Sequence, residues 1–296
     1  MAEKDLTEKI LESYNDVFGD IINVLLFDGK QVINENDLEN ESPVSMYKAA
    51  GTLHEEERDL AKFWKDVSIR LALIGAENQS DRDKDISLRV IGYDGAGYRA
   101  QLLADVKGEP KAPRYPVITV VLYFGKTHWG KNRSLKEVLS IPDGLEPYVN
   151  DYKANIFEIS YLTDEQLSLF RSDFKMVAEY FVKSRTNPDY RPSDQEIKHT
   201  DAFLKMMAVF TGDRRYEEVR VEMHRDNEEV HNMCEVLDRV EERGRVEGRA
   251  EGITEGENKL GKLIIALNNT GRHQDVILAS TDAKAREALY KEFNIF

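Results

Sequence analysis

Cysteine is almost absent: Cys234 is the only one in 296 residues. A lone thiol excludes an intrachain disulfide and a zinc cage built on several cysteines, and nothing in the chain asks for an oxidising compartment. Positive charge is scarce too, with 41 Lys and Arg against 55 Asp and Glu and a formal net charge of −14. Proteins that coat DNA neutralise phosphates with a surplus of Lys and Arg, so any nucleic-acid contact here would be local or metal-mediated. No uninterrupted apolar run approaches the ~20 residues that span a bilayer. The first residues, MAEKDLTEKILESYNDVF, lack the apolar centre of a signal peptide. A cytoplasmic location without membrane contact is therefore expected. Also missing are a Gly-x-Ser-x-Gly elbow, a phosphate-cradling glycine loop and a dinucleotide fingerprint.

What is present suits a folded chain larger than one common domain, with 41% apolar, 32% charged and 9% aromatic residues. Between Asp5 and Phe27, apolar residues fall at helical spacing through Ile10, Tyr14, Val17, Phe18, Ile21 and Val24, with Glu12, Asp16 and Asp20 in a row on another face. Asp28-Gly29 ends this helix, and NENDLENESP reads as a loop. RDLAKFWKDVSIRLALIGAENQ is β-rich, and DISLRVIGYDGAGYRAQLL returns to helical spacing although Gly92, Gly95 and Gly97 weaken it. VITVVLYFG, Val117 to Gly125, is β-branched and apolar, a central buried strand. FEISYL reads as a further strand, and helices follow from Asp164 to Phe210. The order describes helices covering a short mixed sheet, followed by an α-helical tail.

The last third is densely charged and helical in pattern, with Gly244, Gly248, Gly252 and Gly256 recurring every four residues. Such spacing fits either close helix-to-helix approach in a homo-oligomer or a flexible charged connector, since each Gly costs a helix about 1 kcal/mol relative to Ala. A terminal helical pair with a Ser-Thr-Asp cap closes the chain. The expected divisions are a core at 1–160, a helical extension at 161–215, the charged Gly-repeat segment at 216–262 and the helical pair at 263–296.

The stretch LALIGAENQSDRD begins as a buried strand and then places Glu77, Asn78 and Gln79 where apolar residues should follow. Side chains alternate along a strand, so Glu77 and Gln79 share a face. Asp66 lies upstream, and a short turn after it would return the chain towards Glu77. Two carboxylates at a sheet edge resist joint ionisation unless a cation neutralises them, and Mg²⁺ takes one or two carboxylates while keeping several waters. Arg89 and Tyr93, four apart, share a helix face. Lys126, His128, Trp129, Lys131 and Arg133 form a basic and aromatic patch suited to phosphate contact and base stacking, or a solvated turn anchored by the Trp. His224, Glu228 and His231 also step by four and three along a helix, a spacing that charged helices produce by chance.

Asp66 followed by Glu77-Asn78-Gln79 resembles the PD-(D/E)XK nuclease signature in its Glu-x-Gln form. VFGDIINVLLFDGKQVI, LALIGAENQS, LRVIGYD, YRAQL and PVITVVLYFG are similar, in order, to blocks of the Rpn-type recombination-promoting nucleases, the YhgA-like transposase-related family, over about Asp16 to Leu139. The resemblance implies a restriction-endonuclease-like core: an α/β fold with a mixed sheet flanked by helices. It also implies a Mg²⁺-dependent DNA endonuclease in which Asp66 and Glu77 hold the ion, Asp20 joins them, and Gln79 replaces the usual lysine. Arg89, Tyr93, Gln101, Lys126, Lys131 and Arg133 would then touch DNA or brace the site. This chain departs from the family in SDRDKDISLR, which supplies Asp81, Asp83 and Asp85 where relatives carry a Tyr and a Met-Pro pair. The rival expectation is a non-catalytic scaffold that keeps the nuclease fold and binds partner proteins.

Overall fold

The computed structural model describes residues 11–41, 44–49, 52–57, 59–66, 69–105, 111–187, 190, 195–226 and 232–295. The chain forms two compact units, residues 1–236 and 237–296.

The first unit is α/β. Helix α1, Asn15–Phe27, buries Val17, Phe18, Ile21, Ile22 and Val24 on one side. It stops at Asp28 (φ 52°) and Gly29 (φ 77°), two left-handed residues; a Cβ at position 29 would stand 2.9 Å from Leu169 Cδ2, so only glycine fits there. The polar stretch read as a loop contains a short edge strand, β1 (Leu38–Asn40). A separate two-stranded hairpin follows, β2 (Val44–Ala49) with β3 (Thr52–Glu57). The main sheet is completed by β4 (Leu60–Asp66), β5 (Ile69–Gln79), β6 (Val117–Tyr123) and β7 (Asn155–Glu158), in the order β1-β4-β5-β6-β7. The first two pairings are antiparallel and the last two parallel. The expected strand FEISYL only begins as β7, since Ile159–Tyr161 turns into a 3₁₀ helix.

Strand β6 is buried on both faces, as a near-continuous apolar run requires. Helix α2, Ile86–Leu103, crosses between β5 and β6 and survives its three glycines. Gly97 is the reason it can lie close to the sheet: a Cβ there would stand 3.0 Å from both Val117 methyls and 3.2 Å from Leu73. Helices α3 (Leu135–Val138), α4 (Asp164–Leu169), α5 (Phe174–Ser184), α6 (Thr200–Thr211) and α7 (Arg214–Asp226) complete the unit. Phe124, immediately after β6, packs on Phe174, Phe181 and Phe210 and so fixes α5 and α6 to the sheet.

Helix α8, Met233–Asn269, runs into the second unit, where α9 (His273–Thr281) and α10 (Ala283–Glu292) fold with it around Leu263, Leu267, Ala279 and Leu289. The expected cap is Asp282, whose carboxylate accepts the N–H groups of Lys284 and Ala285. Among the described residues no helix is long and apolar enough to cross a membrane.

Candidate functional site

Strand β5 carries its polar residues to the end where the parallel strands finish. Glu77 and Asn78 are buried there, and Gln79 is half-buried. On the face covered by α2, the Arg89 guanidinium is salt-bridged to Glu77 Oε1, and Gln79 Nε2 donates to the same oxygen at 3.3 Å. Arg89 also donates to the Tyr93 hydroxyl (3.1 Å) and to Asp83 Oδ2 (3.1 Å). Asp83 is one of the acids in the departing segment, and it shares the single charge of Arg89 with Glu77. Burial opposes the charge on Arg89, but Glu77, Tyr93 and Asp83 together outweigh it and raise its pKa. Burial, with the Glu77 charge, pushes the Tyr93 phenol up to about 12 against the opposing effect of Arg89.

On the other face the Asn78 side chain donates to Glu12 Oε2 at 2.8 Å, and Glu12 is a helical residue separated from α1 by the turn at Ser13 and Tyr14. In the plane of the sheet, the Asn78 N–H donates to Asp59 Oδ2 at 2.6 Å. Leu60 pairs with Ala76, so Asp59 stands one step further on, opposite Glu77. Both carboxylates act on the same phenol, since Glu77 and Asp59 each help raise the Tyr93 pKa. Glu12, Asp59 and Glu77 are therefore the acids gathered at this end of β5.

Asp66 is not among them. It pairs with Ile69 at the opposite end of the hairpin and is exposed, which leaves it eight residues along β5 from Glu77, about 26 Å at strand rise. A tight connection between antiparallel strands sets each residue before the turn against its mirror after it, so a residue adjoining the turn cannot reach the far end. Mirror pairing from Asp66 and Ile69 alone would set position 58 opposite Glu77, and the register shift between Trp64 and Lys65 brings Asp59 there instead. Asp20 does not join Glu77 either. Its Oδ2 accepts the N–H groups of Arg171 and Ser172 (2.8 Å each) and the Ser172 hydroxyl (2.7 Å), tying α1 to the segment between α4 and α5. It lines a cavity of about 590 Å³ together with Asp16, Asn23, Ile33 and Asp173, and none of Glu77, Gln79 or Arg89 borders it. Glu12 is legible in the sequence only as a member of the acidic row it shares with Asp16 and Asp20.

Gln101 is twelve residues beyond Arg89, about 18 Å along α2. Its amide is spent on Tyr115, donating to the carbonyl and accepting from the N–H at 3.0 Å each, so it braces the approach to β6. The basic loop follows β6 at the same sheet end as Gln79, because Gln79 is the register partner of Tyr123. Trp129 is buried there with its ring edge-on to Tyr123 at 4.9 Å, which removes it as a stacking platform for bases. Arg133 is salt-bridged to Glu158, and His128 Nδ1 lies 2.8 Å from the same carboxylate while its ring stacks on Tyr161 at 3.7 Å. Burial would raise the Glu158 pKa, but the bonds from His128, the Trp129 N–H and Arg133 bring it down. Lys126 and Lys131 are exposed on this loop. Of the histidine row, Glu228 and His231 lie outside the described residues, and His224 is bonded to Asp201 at 2.7 Å.

Buried carboxylates beside an amide, a fixed guanidinium and exposed lysines, at the carboxyl ends of adjacent parallel strands, form an arrangement able to hold a hard cation or a phosphate. Among the described residues no three His, Cys, Asp or Glu side chains are grouped tightly enough to enclose an ion by themselves. Comparison with known proteins adds no relative: no family model, no curated protein and no solved structure matches the chain.

Proposed function

We propose that the chain is a Mg²⁺-dependent endonuclease acting on DNA, with its reaction centre at the end of β5. The observation that carries this reading is the approach of Asp59 to the Glu77-Asn78-Gln79 segment. The resemblance to Rpn-type nucleases with a PD-(D/E)XK core supports it, with Asp59 taking the place expected of Asp66. Asp59 and Glu77 offer the hard oxygen donors that Mg²⁺ prefers, and the remaining positions fall to water, as this ion commonly arranges. Held there, Mg²⁺ would supply polarisation of a phosphoryl oxygen and a more acidic water. Gln79 does not titrate, so it orients water or phosphate through its amide and cannot be a general base. Lys126 and Lys131 meet backbone phosphates without reading bases. An ion that takes Glu77 competes with Arg89, which already supplies that carboxylate with one positive charge.

That ion pair also favours the second reading, a nuclease-like scaffold without catalysis, because it satisfies Glu77 internally. Cleavage of supercoiled plasmid with Mg²⁺, Mn²⁺, Ca²⁺ or EDTA separates the two. Nicking that needs Mg²⁺ or Mn²⁺ and falls at least about a hundredfold in Asp59→Ala and Glu77→Ala, but persists in Asp66→Ala, is the expected result. Absence of cleavage under every metal, or cleavage that survives both substitutions, would leave the scaffold.

A further inference from the structure

Residues 245–258 of α8 are exposed on every side, four helical turns without cover. Val246 and Ile253 are among them, 57% and 54% exposed. Gly248, Gly252 and Gly256 interrupt the same turns, and a Cβ at any of them would meet nothing within 4 Å. Three glycines cost an isolated helix roughly 3 kcal/mol relative to alanine. The pairs Lys259–Glu255 (2.8 Å) and Arg245–Glu242 (2.6 Å) return only a few tenths of a kcal/mol each. A helix of this composition draws its stability from packing rather than propensity, and its own unit begins to cover it only at Leu260 and Leu263.

Val246, Ile253 and Leu260 are spaced by seven, so they form one narrow apolar seam along the helix. The sequence around this seam is complementary to its own reverse. Counting outward from Ile253, Val246 matches Leu260, Ala250 matches Gly256, Arg249 matches Glu257 and Glu247 matches Lys259. Apolar residues meet apolar, small meet small, and the charges flanking the seam are of opposite sign, while the like-charged match of Glu251 with Glu255 falls on the opposite side of the helix from Ile253. A parallel, in-register pair would instead set Arg249 beside Arg249 and Glu257 beside Glu257.

We infer that residues 246–260 of α8 are an antiparallel homodimer seam, with two copies of the chain crossing at Ile253. The occupant is a second copy because the charge pattern complements itself, and the small residues flanking Ile253 allow the two helices to approach closely. This differs from packing through the glycine row itself, since the apolar seam makes the contact and the glycines only clear space beside it. The inference is independent of the catalytic reading.

The test uses the full-length chain with Cys234 replaced by Ser. A single cysteine at the crossing, Ile253→Cys, is expected to yield a covalent dimer under mild oxidation. Arg245→Cys is expected to yield none, because eight residues from the crossing its two copies stand about 24 Å apart. In sedimentation, Arg249→Glu raises the dimer Kd about tenfold, since the dyad applies each reversed pair twice, and adding Glu257→Arg restores it. A monomer at every concentration tried, a dimer that Ile253→Cys does not link, or equal linking at position 245 overturns the antiparallel seam.

Discussion

Lys62 sits in the middle of β4 with no exposed surface. Its ammonium donates to the Ser13 carbonyl and Asn15 Oδ1 at 2.7 Å each and also to Asn40 Oδ1, so it pins the turn that follows Glu12 against the sheet. Burial lowers its pKa from 10.5 to about 8. Below pH 8 both folded and unfolded chains are protonated there, and the folded chain bears the whole cost of a desolvated charge. Between the two pKa values the unfolded chain keeps a proton that the folded chain has lost, so stability rises with pH, and the gain levels off above 10.5. Integrated from pH 7 to 9.5 this is roughly 2 kcal/mol. Lys62→Met removes the titration while keeping most of the volume. Urea unfolding of both chains at pH 7, 8.5 and 9.5 should show wild type gaining about 2 kcal/mol relative to the variant over that range. Other groups that titrate there, Tyr93 included, cancel in the difference. Parallel pH profiles for the two chains would refute the assignment of a depressed lysine.

Three further predictions concern stability. Gly97→Ala gains helix propensity but drives its methyl into Val117 and Leu73; urea unfolding should show a loss of about 1–3 kcal/mol. Gly95→Ala, open on all sides, should instead gain about 0.5–1 kcal/mol. Asp282→Ala leaves the first N–H groups of α10 without their cap and should cost the second unit about 1 kcal/mol, read as earlier exchange of α10 amides.

Several features of this protein are fixed by local sequence. The apolar spacing of Val17, Phe18, Ile21 and Val24 makes an amphipathic helix wherever it sits, and the β-branched run from Val117 suits little but a buried strand. Asp282 caps its helix through its immediate successors. The alternation that puts Glu77 and Gln79 on one face is likewise a local property of strand geometry, and the helical spacing of Arg89 and Tyr93 brings those two together.

Which acids meet Glu77 was decided by tertiary structure. Asp59 and Asp66 stand at opposite ends of β4, and the register between β4 and β5, set by the hairpin turn together with the shift between Trp64 and Lys65, determines which of them lies beside Glu77. Glu12, Asp16 and Asp20 are equivalent members of one acidic row until the turn at Ser13 and Tyr14 breaks the helix between the first two and the chain docks on the sheet. Docking buries Glu12 against Asn78, gives Asp16 to Lys198 and His199, and gives Asp20 to Arg171 and Ser172. Trp129 reads equally as a stacking surface or an anchor until Tyr123 covers it. In each case composition and spacing supply the group. Its partner depends on residues far away in the chain, whose approach is set by sheet register and helix packing.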